Sequence, residues 1–118
     1  MTAKDIADKA LVLMGYNDMN GNTADPRFQV TALNAVNFVY ADLFYCIYTE
    51  GFKELGKLSE DVDLPERVLN DVMPYGVASY IAKNVGDGDN QQYFAQIYNT
   101  KRRSVSLGSS VEDVIPAP

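Results

Sequence analysis

Residues 64–103, LPERVLNDVMPYGVASYIAKNVGDGDNQQYFAQIYNTKRR, decide the fold of this chain. Apolar residues recur at three- and four-residue spacing on both sides of a short Gly- and Asp-rich segment, Gly86 to Asp89. This spacing is typical of amphipathic helices, and glycine and aspartate are turn formers. The stretch therefore predicts two helices joined by a tight acidic turn.

A proline lies inside the first of these helices. Pro74 has no amide hydrogen, and its ring costs about 3 kcal/mol in a helix interior. The apolar pattern nevertheless continues on both sides of it. We therefore expect one bent helix, or two abutting helices, from about Leu64 to Val85, with the kink at Pro74, Tyr75 and Gly76.

Two further helices are predicted before this stretch. The first runs from Ala3 to Met14, with Thr2 and Asp5 as its capping pair. Its apolar stripe consists of Ile6, Ala10, Leu13 and Met14. The second runs from Pro26, capped by Asp25, to about Tyr48. It is apolar on more than one face, which is typical of an enclosed helix, and we expect it to be the central helix of the bundle. The alternative is that part of this apolar surface docks another subunit.

The two helices of the deciding stretch also carry start signals. Asp63 and Glu66 have the spacing of a capping box for the third helix, and Asp89 is the expected cap of the fourth. The fourth helix is expected to end at Arg103, so that its last three bases complement the helix dipole. The alternative is that these bases contact acidic surface on a neighbouring subunit, or DNA in a channel.

Two segments lack a helical pattern. Residues 49–63 form a long connection between the second and third helices, and its Phe52, Leu55, Leu58 and Val62 are expected to pack on the bundle. Residues 104–118 are serine-rich and end in prolines, so we expect a helical domain, residues 1–103, followed by an extended C-terminal arm. The arm either folds back on its own domain or lies on the next subunit.

Composition restricts the chemistry. The chain of 118 residues has no histidine and one cysteine, Cys46. Histidine is the commonest general base near neutral pH and the commonest metal ligand. We therefore predict no enzyme activity, no cofactor and no metal site, and we expect Cys46 to be a buried, inert thiol. A carboxylate-based hydrolase has little support without histidine.

Charge and hydropathy restrict the location and partners. The net charge is −6, whereas duplex-DNA binders normally carry a basic face. No apolar run approaches the roughly 20 residues of a membrane span, and the N-terminal residues lack the features of a secretory signal. We therefore expect a protein that is made in the cytoplasm and does not contact a membrane.

The deciding stretch resembles the head–tail connector proteins of tailed bacteriophages, which are also called head-completion, adaptor or DNA-packaging proteins. The resemblance covers about forty residues and rests on a Pro-Tyr-Gly-x-Ala helix, a Gly-Asp turn, a Tyr-Phe-x-x-x-Tyr helix and a basic ending. The matching residues are Pro74, Tyr75, Gly76, Ala78, Gly86, Asp87, Tyr93, Phe94, Tyr98, Lys101, Arg102 and Arg103.

The resemblance implies a non-enzymatic phage or prophage protein of the virion. Copies would form a ring at the head–tail junction, in contact with the portal and with the tail or stopper proteins, and DNA would pass through its channel as cargo. The residues expected at the interface with a subunit or partner are Lys101, Arg102, Arg103, Val105, Leu107, Val111, Val114 and Ile115. The alternative is a small acidic helical adaptor or regulator that acts as a monomer or dimer on a host protein.

Overall fold

The described part of the chain contains five helical segments in this computed structural model. They are α1, Ala3–Leu13; α2, Pro26–Ile47; α3, Glu66–Asp71; α4, Met73–Asn84; and α5, Gly88–Val114. The structure describes the backbone of residues 1–16 and 26–114, and the side chains of residues 1–16 and 28–105. Within those ranges no strand is present, and α3 and α4 are the two parts of one predicted helix. The predicted all-α bundle of four main helices is confirmed.

Helix α1 begins at the predicted capping pair. The Asp5 amide donates to Thr2 Oγ1 at 3.1 Å, and the Thr2 amide donates to Asp5 Oδ2 at 3.0 Å. The predicted stripe is wrong at Leu13, which is 38% exposed, whereas Leu11 is fully buried. The reason is helical geometry: Leu11 follows the buried Ala7 by four residues, and Leu13 lies about 200° further round the helix.

The break predicted near Pro74 is present and falls at Val72, between α3 and α4. Val72 has φ −112° and ψ −52°, and Pro74 occupies the first turn of α4. The amides of a first turn have no partner within the helix, so a proline there loses no helical hydrogen bond. The chain therefore has two abutting helices, with the break two residues before the proline.

The capping box predicted for Asp63 and Glu66 is wrong. Helix α3 begins at Glu66, its cap position is Pro65, and no side chain caps it. The backbone amide of Asp63 instead donates to the hydroxyl of Tyr40 at 3.2 Å. That bond belongs to the connection before the helix, and Asp63 lies two positions too early to serve as the cap.

The start of α5 also differs from the prediction, because Asp87 rather than Asp89 lies at the cap position. The Asn90 amide donates to Asp87 Oδ1 at 3.1 Å, and α5 begins at Gly88. Gly86, directly after the end of α4, has φ +79°. A positive φ at this position is strained for most residues and favours glycine. The predicted tight turn is therefore present, and the cap of α5 lies two residues earlier than expected.

Helix α4, not α2, is the central helix. It packs against α1, α2, α3 and α5, so the expectation that α2 occupies the centre is wrong. Gly76, Ala78 and Ala82 of α4 are buried, and their small size lets neighbouring helices approach closely. Helix α2 still buries one side, through Ala32, Ala35, Val36, Val39, Tyr40 and Leu43.

The connection between α2 and α3 packs on the bundle as predicted. Leu55 and Val62 are buried, and Phe52 and Leu58 are partly buried against the core. Asn37 of α2 is itself buried and anchors the connection: its Nδ2 donates to the Leu55 carbonyl at 2.9 Å, and its Oδ1 accepts from the Leu55 amide at 2.8 Å. A segment without regular structure thereby has a fixed position.

The connection also completes the start of α1. The amide of Ala3 donates to the Glu60 carbonyl at 2.9 Å, and that of Lys4 donates to the Leu58 carbonyl at 2.9 Å. First-turn amides of a helix have no partner inside the helix. The connection therefore satisfies donors that the helix itself cannot satisfy.

The extended arm predicted after Arg103 is wrong, because α5 continues to Val114. Val105 is 2% exposed and lies seven residues after Tyr98 and eleven after Phe94, so the buried stripe of the helix continues through it. Extending a formed helix is much easier than starting one, so the weak propensity of serine and glycine does not end the helix here. The expected boundary between residues 103 and 104 falls inside this helix.

One stretch of α2 contradicts the expectation from hydropathy. Among the described residues, Phe28–Ile47 is long and apolar enough to cross a membrane by length and composition, with a mean hydropathy of 1.4. A core helix passes the same test, and this one packs against α1, α4 and α5. Within the stretch, Asp42 is paired with an arginine of α5.

Candidate functional site

A two-bond ion pair joins α2 to α5. Arg102 Nε donates to Asp42 Oδ2 at 2.7 Å, and Arg102 Nη2 donates to Asp42 Oδ1 at 2.8 Å. The two side chains are 38% and 31% exposed, so the pair lies at the edge of the core. A planar guanidinium that meets both carboxylate oxygens fixes orientation as well as distance.

Tyr98 adds a third group to this pair. Its hydroxyl donates to Asp42 Oδ2 at 2.5 Å, while its ring lies against Gly76 of α4. The side chain is 9% exposed. One tyrosine of α5 therefore contacts both α2 and α4, and the three helices are held together at one point.

The ionisation of the network follows from its contacts. Burial opposes ionisation of Asp42, but the hydrogen bonds from Arg102 and Tyr98 outweigh burial and hold the pKa of Asp42 below its ordinary value. Burial, with the adjacent carboxylate, raises the pKa of Tyr98, and the hydrogen bond to Asp42 raises the pKa of Arg102. The network therefore holds one negative and one positive charge, with a neutral tyrosine.

The three basic residues have different positions. Lys101 Nζ is 3.0 Å from Asp71 Oδ1 and 5.1 Å from the ring centre of Tyr75, so it joins α5 to α3 and α4. Arg102 pairs with Asp42, and Arg103 is exposed. Because α5 continues for eleven residues beyond Arg103, the expectation that these bases end the helix is wrong.

The apolar residues predicted for the interface are only partly described. Val105 is buried in the core of its own chain, so its side chain does not face a neighbouring subunit. Leu107, Val111 and Val114 lie on α5, but their side chains are outside the described part, as is the whole of Ile115. Among the described side chains of the predicted set, Arg103 is exposed, whereas Lys101 and Arg102 are partly exposed and paired with carboxylates.

An exposed aromatic surface lies on the outer side of α2. Phe38, Tyr45 and Tyr48 are 63%, 55% and 45% exposed. Phe38 and Tyr45 lie on α2, and Tyr48 is the residue directly after its end, where its amide still donates to the Phe44 carbonyl at 2.7 Å. At helical spacing the three residues lie within about 80° of one another. Phe38 contacts the ring of Tyr80 of α4, with ring centres 5.3 Å apart. We call Phe38, Tyr45 and Tyr48 the α2 aromatic face.

A cleft of about 640 Å³ adjoins the α2 aromatic face. Helix α2 provides most of its lining, the connection adds Phe52 and Glu54, and the edges are Tyr80 and Arg102. Aromatic rings therefore lie beside two polar groups, the carboxylate of Glu54 and the Asp42–Arg102 pair. Such a surface suits an amphipathic protein segment better than a small charged ligand, because the arginine already has its carboxylate.

A second concave surface lies between α1 and α4. This groove of about 350 Å³ is lined by Asp8, Lys9, Val12, Leu13, Asn70, Pro74 and Tyr75. Val12 and Leu13 are 59% and 38% exposed. We call it the α1 groove. It shares no residue with the lining of the cleft beside α2.

The sequence interpretation missed the α1 groove, and for α2 it gave a docking surface for another subunit only as an alternative, without naming its residues. Helical spacing alone does not show which stripe faces the bundle. One signal was present: the sequence of α2 has two apolar lines, and Phe38, Tyr45 and Tyr48 belong to neither. The lines are Leu33, Val36, Tyr40, Leu43 and Ile47, and Phe28, Ala32, Ala35 and Val39. An additional apolar stripe on a helix that already has its core side indicates a contact with something else.

The described side chains offer little for metal or thiol chemistry. Among them, no group of three or more Cys, Asp and Glu residues could hold a metal ion. Cys46 is partly buried rather than fully buried, and burial raises the pKa of its thiol. A raised pKa keeps the thiol protonated and weakly nucleophilic.

Comparison of the chain with known protein families, with curated proteins and with solved structures finds no match.

Proposed function

We propose that this chain is a structural subunit of a tailed phage or prophage. Copies of it form a ring between portal and tail, where the ring serves head completion and the packaging and retention of DNA. The α2 aromatic face is the observation that carries this proposal. Large exposed aromatic groups close together on a small chain are typical of protein–protein contacts.

The residues behind the family resemblance support the same proposal. Gly76 and Tyr98 form the contact between α4 and α5, and Lys101 and Arg102 tie α5 to the rest of the bundle. These residues of the resemblance motif therefore hold the helices of the bundle together. In this proposal they determine the shape of the protomer rather than form a chemical site.

A rigid protomer suits the proposed mechanism, which is geometric. A ring closes only when every head-to-tail contact repeats the same rotation. The Asp42–Arg102–Tyr98 network fixes α2, α4 and α5 relative to one another, and so fixes the direction in which the α2 aromatic face points. A protomer that flexed between these helices would give variable rotations and open chains.

The charge of the chain suits a channel through which DNA slides. The net charge is −6, and Lys101 and Arg102 already have carboxylate partners. Strong phosphate contacts would hold the DNA rather than pass it. The partners in this proposal are other copies of the chain, the portal, and the tail or stopper proteins, with DNA as passing cargo and no membrane contact.

Deletion of the gene from its phage or induced prophage tests the proposal. The expected result is capsids without tails that lose packaged DNA, and recovery of complete virions when the intact gene is supplied in trans. Normal virions in the absence of the gene would contradict the proposal. If a host pathway changed instead while virions stayed normal, the chain would be the small acidic adaptor.

A further inference from the structure

A ring-forming subunit needs two different surfaces that fit each other, because each copy contacts one neighbour on each side. The described part of the chain has two exposed apolar surfaces, and two rings of the first, Phe38 and Tyr45, also line the cleft beside it. The α2 aromatic face projects rings from a helix, and the α1 groove is concave. Rings projecting from one helix and an apolar groove are the two halves of a helix-in-groove contact.

The central helix shows that both surfaces are available at once. Tyr80 of α4 lines the cleft beside the α2 aromatic face, and Tyr75 of α4 lines the α1 groove. Five residues along a helix correspond to a rotation of about 140°. The two surfaces therefore point in different directions, and two neighbours can occupy them together.

Each of the two surfaces carries one exposed charge of opposite sign at its edge, because the carboxylate of Asp8, which also lines the α1 groove, is paired with Lys4. Lys9 is exposed at the α1 groove, and Glu54 is exposed at the cleft beside the α2 aromatic face. A head-to-tail contact brings this ammonium group towards this carboxylate. Opposite charges at the edge of an interface favour correct encounter and set its register.

We propose that the α2 aromatic face of one copy docks in the α1 groove of the next copy, with Lys9 facing Glu54 across the contact. This inference rests on the proposed function, since it names the surfaces that join the ring. The exposed parts of the three aromatic side chains amount to roughly 300 Å². That suits the centre of an interface that buries about 800 Å² on each partner, with polar surroundings as its rim.

A mixing experiment with two variants of the full chain tests the contact. Val12→Asp places a charge in the groove, and Tyr45→Asp removes a ring from the face. Each variant alone is expected to associate at least tenfold more weakly than the wild type in analytical ultracentrifugation. A mixture of the two is expected to give a 1:1 dimer and nothing larger, because it contains one intact face and one intact groove.

Matched controls are available elsewhere on the surface. Val85 and Tyr93 are 49% and 59% exposed and line neither surface. Val85→Asp and Tyr93→Asp are therefore expected to associate like the wild type. Circular dichroism checks that every variant is folded. The charge pair gives a second readout: Lys9→Glu and Glu54→Lys each weaken association, and the double variant restores it.

Three results would overturn the inference. They are a wild-type chain that stays monomeric up to about 1 mM, single variants that associate as the wild type does, and folded variants that form no dimer when mixed. The phage deletion separates this inference from the proposed function. Tailless capsids together with any of these three results would leave the function standing and reject the two surfaces.

Discussion

The ring of Tyr98 fills the space that a side chain on Gly76 would need. An ideal Cβ on Gly76 would lie 2.7 Å from Cε1 and 2.8 Å from Cδ1 of Tyr98. Real Cβ atoms do not approach other atoms so closely, so α4 and α5 can pack at this distance only because residue 76 is glycine. The same packing brings the Tyr98 hydroxyl to Asp42, so the glycine also determines the reach of the polar network.

Gly76→Ala should destabilise the fold. Overpacking of a core typically costs about 1–3 kcal/mol, and the better helix propensity of alanine offsets about 0.5–1 kcal/mol of that. Chemical denaturation of both variants measures the effect. Gly88→Ala is the matched control, since no described atom lies within 4 Å of its added Cβ. Equal stabilities for the two variants would contradict the close contact.

Arg102→Ala should reduce the free energy of unfolding by about 1–2 kcal/mol, because it leaves the Asp42 carboxylate partly buried without its guanidinium partner. Arg103→Ala, one residue later on the exposed side, should change it by less than about 0.5 kcal/mol. Urea denaturation of the two variants gives the comparison. A double-mutant cycle with Asp42→Asn then isolates the pair. A coupling energy near zero would show that the pair contributes no stability.

The Asp42 carboxylate should make stability depend on pH. Its pKa is lower in the folded chain than in an unfolded one, so folding favours the ionised form. The resulting stabilisation is complete above the unfolded pKa, about 3.9, and is lost as the pH falls through the lower folded pKa. The advantage of the wild type over Asp42→Asn should therefore be constant at neutral pH and shrink below about pH 4. An advantage that grew on acidification would contradict the assigned hydrogen bonds.

Asn37→Ala should detach the connection between α2 and α3. It removes the partners of the Leu55 amide and carbonyl, and unpaired buried polar groups cost about 1–3 kcal/mol each. We expect a loss of about 2–3 kcal/mol in the free energy of unfolding and faster hydrogen exchange at Leu55. Asn34→Ala, at an exposed position one turn earlier, is the control and should change neither quantity.

Local signals predicted much of the fold. The pair Thr2 and Asp5, the proline at position 74 and the glycine at position 86 each act within a few residues, so their consequences can be derived without knowing the tertiary structure. The polar contacts depend on tertiary structure instead. Asp42 and Arg102 are 60 positions apart, and nothing in their local sequence pairs them.

The last helix shows why the serine-rich segment misled the prediction. Low helix propensity after Arg103 indicated an extended arm, but propensity is a weak term beside packing. The burial of Val105 continues the stripe begun by Phe94 and Tyr98, and the backbone stays helical to Val114. The exposed surfaces were not located for a related reason: the sequence shows that α2 is apolar on more than one face but not which face the bundle leaves uncovered.

The proposed connector role predicts that the purified chain binds the portal protein of the proposed phage, and the mass of that complex is the measurement that tests the role most directly. Native mass spectrometry or mass photometry should show a discrete complex. We expect the number of bound copies to be a fixed multiple set by the symmetry of the portal ring. The Val12→Asp and Tyr45→Asp variants should bind without reaching that number. A chain that remains monomeric and leaves the mass of the portal unchanged would contradict a role as the connector ring.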